Sequence, residues 1–217
     1  MADYRIRTND RIFVTGKTGS GKTFLMQHVT KRVRRLAVLD GKGTLGGWNL
    51  EPYGQAGLSK LRQGEDVRLR VIYTPGEDVE TYWLTILEEL YSVGNLTIYI
   101  DELYVVNGGP STRPSPIMNA LYTLGRELGI GVWATTQRPS WVPLVHMSEA
   151  DHFFIFRLNM PEDRQRMAEV TGVTNVLEPI RDPYGFFYMI PEWDEADYRE
   201  KLRVKELHIE QDLEVAL

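Results

Sequence analysis

Apolar residues in this chain fall into short unbroken runs. RIFVT (11–15), LAVLD (36–40), RLRVIY (68–73), LTIYID (96–101), IGVWATT (130–136), HFFIF (152–156) and GFFYMI (185–190) read as strands. Continuous rather than alternating apolarity is expected where both faces of a sheet are covered. Between the runs the spacing turns helical. Trp83, Leu87, Leu90 and Tyr91 make one stripe over about 78–91, and Ile117, Ala120, Leu121, Leu124 and Leu128 make another over about 116–128. Two more helices are expected, one after Gly21 and one from about Pro161. Strands alternating with helices predict an α/β chain with a mostly parallel sheet flanked by helices. VVNGGPSTRPSP (105–116) is too rich in Gly, Pro and Ser for either element and is expected to be a long loop. The stretch 191–217 mixes acids with a few bases and is expected to form a peripheral strand, helix and tail on a main domain of 1–190.

Composition narrows the class. The 217 residues are enough for one α/β domain, and 42% hydrophobic with 25% charged residues is ordinary for a folded soluble chain. No apolar run approaches a membrane span, and the polar start MADYRIRTND is not a secretory signal. With no cysteine, disulfides, thiolate metal sites and cysteine nucleophiles are excluded. The net charge of −5 hides an asymmetry: residues 1–35 hold nine Lys/Arg against Asp3 and Asp10, a surplus of +7 that leaves −12 for the remainder. That distribution suggests either a basic patch on an acidic body or a solvated helix face.

Residues 16–23, GKTGSGKT, fit the phosphate-binding pattern G-x-x-x-x-G-K-[ST] between a strand and a helix, as that motif requires. Gly16, Gly19 and Gly21 let the backbone of Gly16, Lys17, Thr18, Gly19, Ser20, Gly21, Lys22 and Thr23 curl so that N–H groups converge on phosphate oxygens. Lys22 brings a charge to the outer phosphates, Thr23 a hydroxyl for Mg²⁺, and the helix that follows its positive end. LTIYIDE (96–102) ends in two acids at the edge of a parallel sheet where ligands bind. Asp101 is suited to hold Mg²⁺, and Glu102 to orient or deprotonate an attacking water. The pair favours an NTPase over a small-molecule kinase. IGVWATTQRPS (130–140) leaves the core on polar groups, with Gln137 the candidate sensor of the γ-phosphate. Asp40, closing the second strand, either orients the pocket or caps a turn.

The order GKTGSGKT, VLDGKG, IYIDEL, LGRELGIGVWATTQRPS resembles the FtsK–HerA superfamily of DNA-pumping ATPases, over about residues 11–158. The compactness of the chain is most similar to viral genome-packaging members. The resemblance implies a RecA-like P-loop NTPase fold with an additional strand beside the catalytic Glu. It implies ATP and Mg²⁺ as ligands, double-stranded DNA as partner, and a homo-oligomeric, hexameric ring. It further implies docking to capsid or membrane vertex components and a virion-associated or host-cytoplasmic location. It gives Arg126 a role as the arginine lent to the neighbouring subunit, with Arg138 the alternative and Arg157 or Arg164 as additional arginines. Two residues away from Leu124, Arg126 is turned about 200° from the apolar stripe of a helix. DNA contact is expected from Arg113 on the 105–116 loop or from Lys42 in GKGTLGGWN (41–49). Two other readings share these motifs: an ATPase for conjugation, phage extrusion or protein export, and a nucleotide-binding assembly scaffold.

Overall fold

In the computed structural model, which describes residues 4–73, 78–107, 113–200 and 207–211, the apolar runs lie side by side in one nine-stranded sheet. Chain order gives β1 (Tyr4–Arg7), β2 (Arg11–Thr15), α1 (Lys22–Thr30), β3 (Leu36–Asp40), β4 (Glu51–Pro52), α2 (Gln55–Arg62), β5 (Arg68–Ile72), α3 (Val79–Val93) and β6 (Leu96–Asp101). After these come α4 (Leu103–Val106), α5 (Pro116–Thr123), β7 (Ile130–Thr136), α6 (Val145–Ser148), β8 (His152–Phe156), α7 (Pro161–Thr171), β9 (Phe186–Met189), β10 (Asp197–Arg199) and β11 (Leu207–Glu210). The sheet runs β10-β9-β8-β2-β7-β6-β3-β5-β4, parallel from β8 to β4, with β9 and β10 antiparallel. β1 and β11 pair separately, in parallel.

The unbroken apolarity of the strands has the expected cause. On β2, Phe13 joins a core with Trp83, Leu87 and Leu90 of α3, while Ile12 and Val14 join a second core with Leu25, Met26 and Val29 of α1. Successive side chains point to opposite faces of a strand, so helices on both faces demand apolar residues at both parities.

Register puts the functional ends level. Thr15 pairs with Thr136 and Asp40 with Asp101, so the tips of β2, β7, β6 and β3 share one C-terminal edge. β7 lies between β2 and β6, the additional strand that the resemblance implies.

Three sequence expectations change. The helix expected over 116–128 stops at Thr123 and continues as a 3₁₀ turn, Gly125–Leu128, with the weak helix former Gly125 at the break. Leu124 and Leu128 are consequently exposed instead of lying on the buried stripe, which is carried by Met118, Leu121 and Tyr122. Among the described residues of 191–217 there are strands, β10 and β11, but not the expected helix. Of the 105–116 loop, 108–112 lie outside the described residues, and its first part is helical, in α4. Part of the basic surplus lies inside the fold. Arg11 is buried, Lys17 and Lys22 belong to the phosphate loop, and Arg35 donates to the carbonyls of Asn95, Glu65 and Leu61.

Candidate active site

The loop Gly16–Thr23 is clipped to the strands on either side of β2. The Gly16 N–H donates to the Thr136 carbonyl at 3.2 Å, and the Lys17 N–H to that of Arg157 at 2.8 Å. Gly16 has φ +152°, and a Cβ there would stand 2.6 Å from Phe156 Cβ and 2.8 Å from Ser20 Oγ, so only glycine fits. Gly21, at φ +109°, opens α1 without a side-chain cap, leaving the first N–H groups of the helix to an anion. Lys22 is buried, its ammonium donating to the carbonyls of Gly16 and, at 3.0 Å, Lys17. Burial pushes its pKa down to about 8; Lys42 lowers it further, and Glu102 and Asp101 oppose the shift.

The acids close the far side of a cleft of about 380 Å³ that Lys22, Thr23, Lys42, Asp101, Glu102 and Gln137 help to line. Asp101 accepts from the Tyr99 hydroxyl at 3.1 Å and the Thr135 hydroxyl at 3.2 Å, and burial raises its pKa. Glu102 is 1% exposed and sits in the left-handed region at φ +70°, a conformation uncommon for a residue with a side chain. Its carboxylate accepts from the Thr136 hydroxyl (3.1 Å), the Gln137 N–H (2.9 Å), the Gln137 side-chain amide (2.8 Å) and the Lys42 ammonium (3.0 Å). The Gln137 side-chain oxygen in turn accepts from Thr18 of the phosphate loop at 2.8 Å. One amide thus ties the loop to the second acid, 119 and 35 residues away in sequence. Strain and desolvation concentrated on one carboxylate in a cleft mark a site of chemistry rather than of packing.

Thr23 and Asp101 offer a hydroxyl and a carboxylate to the same cleft, and no group of three or more His, Cys, Asp or Glu occurs among the described residues. Two hard oxygen donors suit Mg²⁺, which takes few protein ligands and completes its shell with phosphates and water.

Lys42, expected on a DNA-facing loop, lies instead in this cleft on Glu102, because Asp40 curls its loop inward. Asp40 is fully buried and accepts from the Thr44 and Leu45 N–H groups and from the Arg70 guanidinium at 2.6 Å. Arg113 is exposed, outside the cleft.

Arg126 lies at the opposite, N-terminal edge of the sheet. Both of its short contacts go to the carboxylate of Asp151, which precedes β8 and accepts from the Arg11 N–H at 2.7 Å at the start of β2. Half-exposed, the guanidinium borders its own opening of about 420 Å³ with Arg11 and Glu149. The seven residues of β7 separate the two edges, roughly 20 Å at ~3.3 Å per residue. Arg138 is engaged locally, 2.9 Å from Asp163 and 4.5 Å over the Trp141 ring. Arg164 donates to the Leu158 carbonyl, and the Arg157 side chain is exposed.

Sequence reasoning marks Thr135 and Thr136 as polar groups at the strand tip without giving them a role, and misses Tyr99, whose hydroxyl with theirs holds the acids, and the aromatic residues Phe24 and Tyr184 on the cleft rim. The hydroxyl pair ATTQ at the end of an apolar run was the available signal for the first two.

No family model matches the chain. It is 33% identical over 161 residues to the DNA packaging ATPase P9 of Enterobacteria phage PRD1, covering 71% of this chain and 67% of that protein. The chain belongs to the viral DNA-packaging ATPases. Like them, this packaging ATPase is a P-loop ATP hydrolase. Solved structures share its fold at lower identity. The genome packaging NTPase B204 of Sulfolobus turreted icosahedral virus 2, in complex with AMP, matches with TM-score 0.72 and 14% identity over 90% of this chain and 99% of that one. The pCW3 conjugation coupling protein TcpA matches with TM-score 0.57 and 14% identity, covering 89% of the packaging ATPase and 60% of TcpA. No helix among the described residues is long and apolar enough to cross a membrane.

Proposed function

We propose that this packaging ATPase is a double-stranded DNA translocase of the viral genome-packaging type, hydrolysing Mg-ATP between the subunits of a homo-oligomeric, hexameric ring. The loop Gly16–Thr23 holds the phosphates, with Lys22 on the outer ones. Thr23 and Asp101 hold Mg²⁺, which when bound neutralises charge on the phosphate oxygens. Glu102 takes the proton of the attacking water, and Gln137 reads the γ-phosphate. The observation that carries this reading is the Thr18–Gln137–Glu102 chain of hydrogen bonds, set beside an arginine on the far edge of the sheet. Arg126 is about a strand's length from its own nucleotide cleft, so its use is in the cleft of the next protomer. DNA is gripped by its phosphate backbone in the pore, with Arg113 as the contact and Lys42 reassigned to the nucleotide cleft.

The test is the ATPase rate with and without duplex DNA, alongside the particle mass. A DNA-stimulated rate in a ring-sized particle is expected, and Arg126→Ala should keep nucleotide binding while losing turnover. A monomer whose rate ignores duplex DNA, or an Arg126→Ala variant with wild-type turnover, would overturn the reading.

A further inference from the structure

The nucleotide cleft has a direction. Its acids stand at the tip of β6 and Gln137 at that of β7, the phosphate loop rises from β2, and the next strand beyond is β8. From β6 to β8 is three strand spacings, roughly 14 Å at ~4.8 Å each, comparable to the reach of a nucleoside triphosphate from its last phosphate to its base. With the terminal phosphate at Glu102 and Gln137, the base falls on the β8 side.

Tyr184 stands there, and a second large aromatic residue, Phe24, lines the cleft from α1 with its ring against His28. Tyr184 is 61% exposed and Phe24, directly after Thr23, is 53% exposed, yet both line the cleft. Tyr184 stands beside the mouth of α1, its ring edge 3.6 Å from where a Cβ on Gly21 would be, next to Phe156 of β8. Its turn is braced from below. The Gly185 N–H donates to the Asp182 carbonyl at 3.2 Å, the Tyr198 hydroxyl donates to the Asp182 carboxylate, and a Cβ on Gly185 would meet that hydroxyl at 2.6 Å. The ring is therefore presented on a preset backbone with only two side-chain torsions to fix.

We infer that Tyr184 is the stacking platform for the nucleotide base, and that this end of the cleft recognises a purine by its face rather than its edge. The inference rests on the cleft being the nucleotide site. Base–aromatic stacking is strong and tolerant of base identity because every base has a π face. The carboxylates and the side-chain amide among the cleft-lining residues, Asp101, Glu102 and Gln137, are gathered at the phosphate end. ATP and GTP bind alike, and a ligand of three phosphates with no base gains nothing from Tyr184.

Calorimetric titration of the full chain with ATPγS, GTPγS and inorganic tripolyphosphate, each with Mg²⁺, tests this. Tyr184→Ala should weaken ATPγS and GTPγS by about ten-fold or more and leave tripolyphosphate as in the wild type, while Tyr184→Phe binds all three normally. Lys22→Ala should weaken all three. The platform is overturned if Tyr184→Ala binds ATPγS as the wild type does, or if it weakens tripolyphosphate equally. A more than ten-fold preference of the wild type for one purine overturns recognition by the face alone. If wild-type protein binds none of the three, the reading of the cleft falls, and the platform with it.

Discussion

Lys22 shows how a single buried charge couples the cleft to pH. Burial brings its pKa to about 8 in the free protein, and phosphate oxygens beside it would raise that value again. Below pH 8 the ammonium is charged with or without nucleotide, so affinity should be flat. Above pH 8 the free protein loses the proton that the complex keeps, so binding takes one up and weakens by up to about ten-fold per pH unit. Titrations in two buffers of different ionisation heat, at pH 7 and pH 9, should show proton uptake only at the higher pH. Glu102 makes the complementary case. Its carboxylate is shaped by four donors, and Glu102→Gln preserves its outline while removing the base. Nucleotide binding should persist while kcat falls by about 100-fold or more, measured by single-turnover hydrolysis.

At the scale of elements, α5 and α6 meet through a contact that makes the fold acid-sensitive. His146 of α6 is fully buried, stacked at 4.5 Å on Tyr122 of α5, and neither ring nitrogen has a hydrogen-bond partner among the described residues. Burial pushes its pKa down to about 3. The unfolded chain binds a proton below about pH 6.5 that the folded chain refuses, so stability falls by up to about 1.4 kcal/mol per pH unit between 6.5 and 3. His146→Phe keeps the stack and should remove this component, flattening that limb in denaturant melts at pH 7 and pH 5. The elements also show what the sequence makes visible. β2, β3, β6, β7 and β8 coincide with apolar runs because they are covered on both faces, and the phosphate loop is a local motif. α2 was missed because Gly57 interrupts it, a weak helix residue held there because a Cβ would stand 2.5 Å from Leu69 Cδ2. β1, β4, β10 and β11 have two to four residues and no apolar run. Lys42 and Glu102 are 60 residues apart, so no local pattern announces their pairing.

For the whole molecule, the central fact is that the nucleotide cleft and Arg126 occupy opposite edges of one stiff sheet. In the proposed ring each working site draws on two protomers, so two defects should complement. Lys22→Ala and Arg126→Ala proteins, each inactive alone, should recover ATPase activity when co-assembled in equal amounts. Random mixing makes about one quarter of interfaces complete, an intact cleft facing an intact arginine, which sets the scale of the recovery. Absence of any recovery in mixed particles of ring mass would place the whole site within one chain.

In the proposed ring the opposed edges would also give assembly a threshold. A head-to-tail chain of protomers left open has a cleft at one end with no donor and an arginine at the other with no recipient, hence one fewer competent site than subunits. Joining the ends completes that last site without adding a protein. Specific activity should then step upward at closure, so fragments of a ring would run idle in proportion to how short they are, and fuel consumption would be largest in the particle that can encircle its cargo.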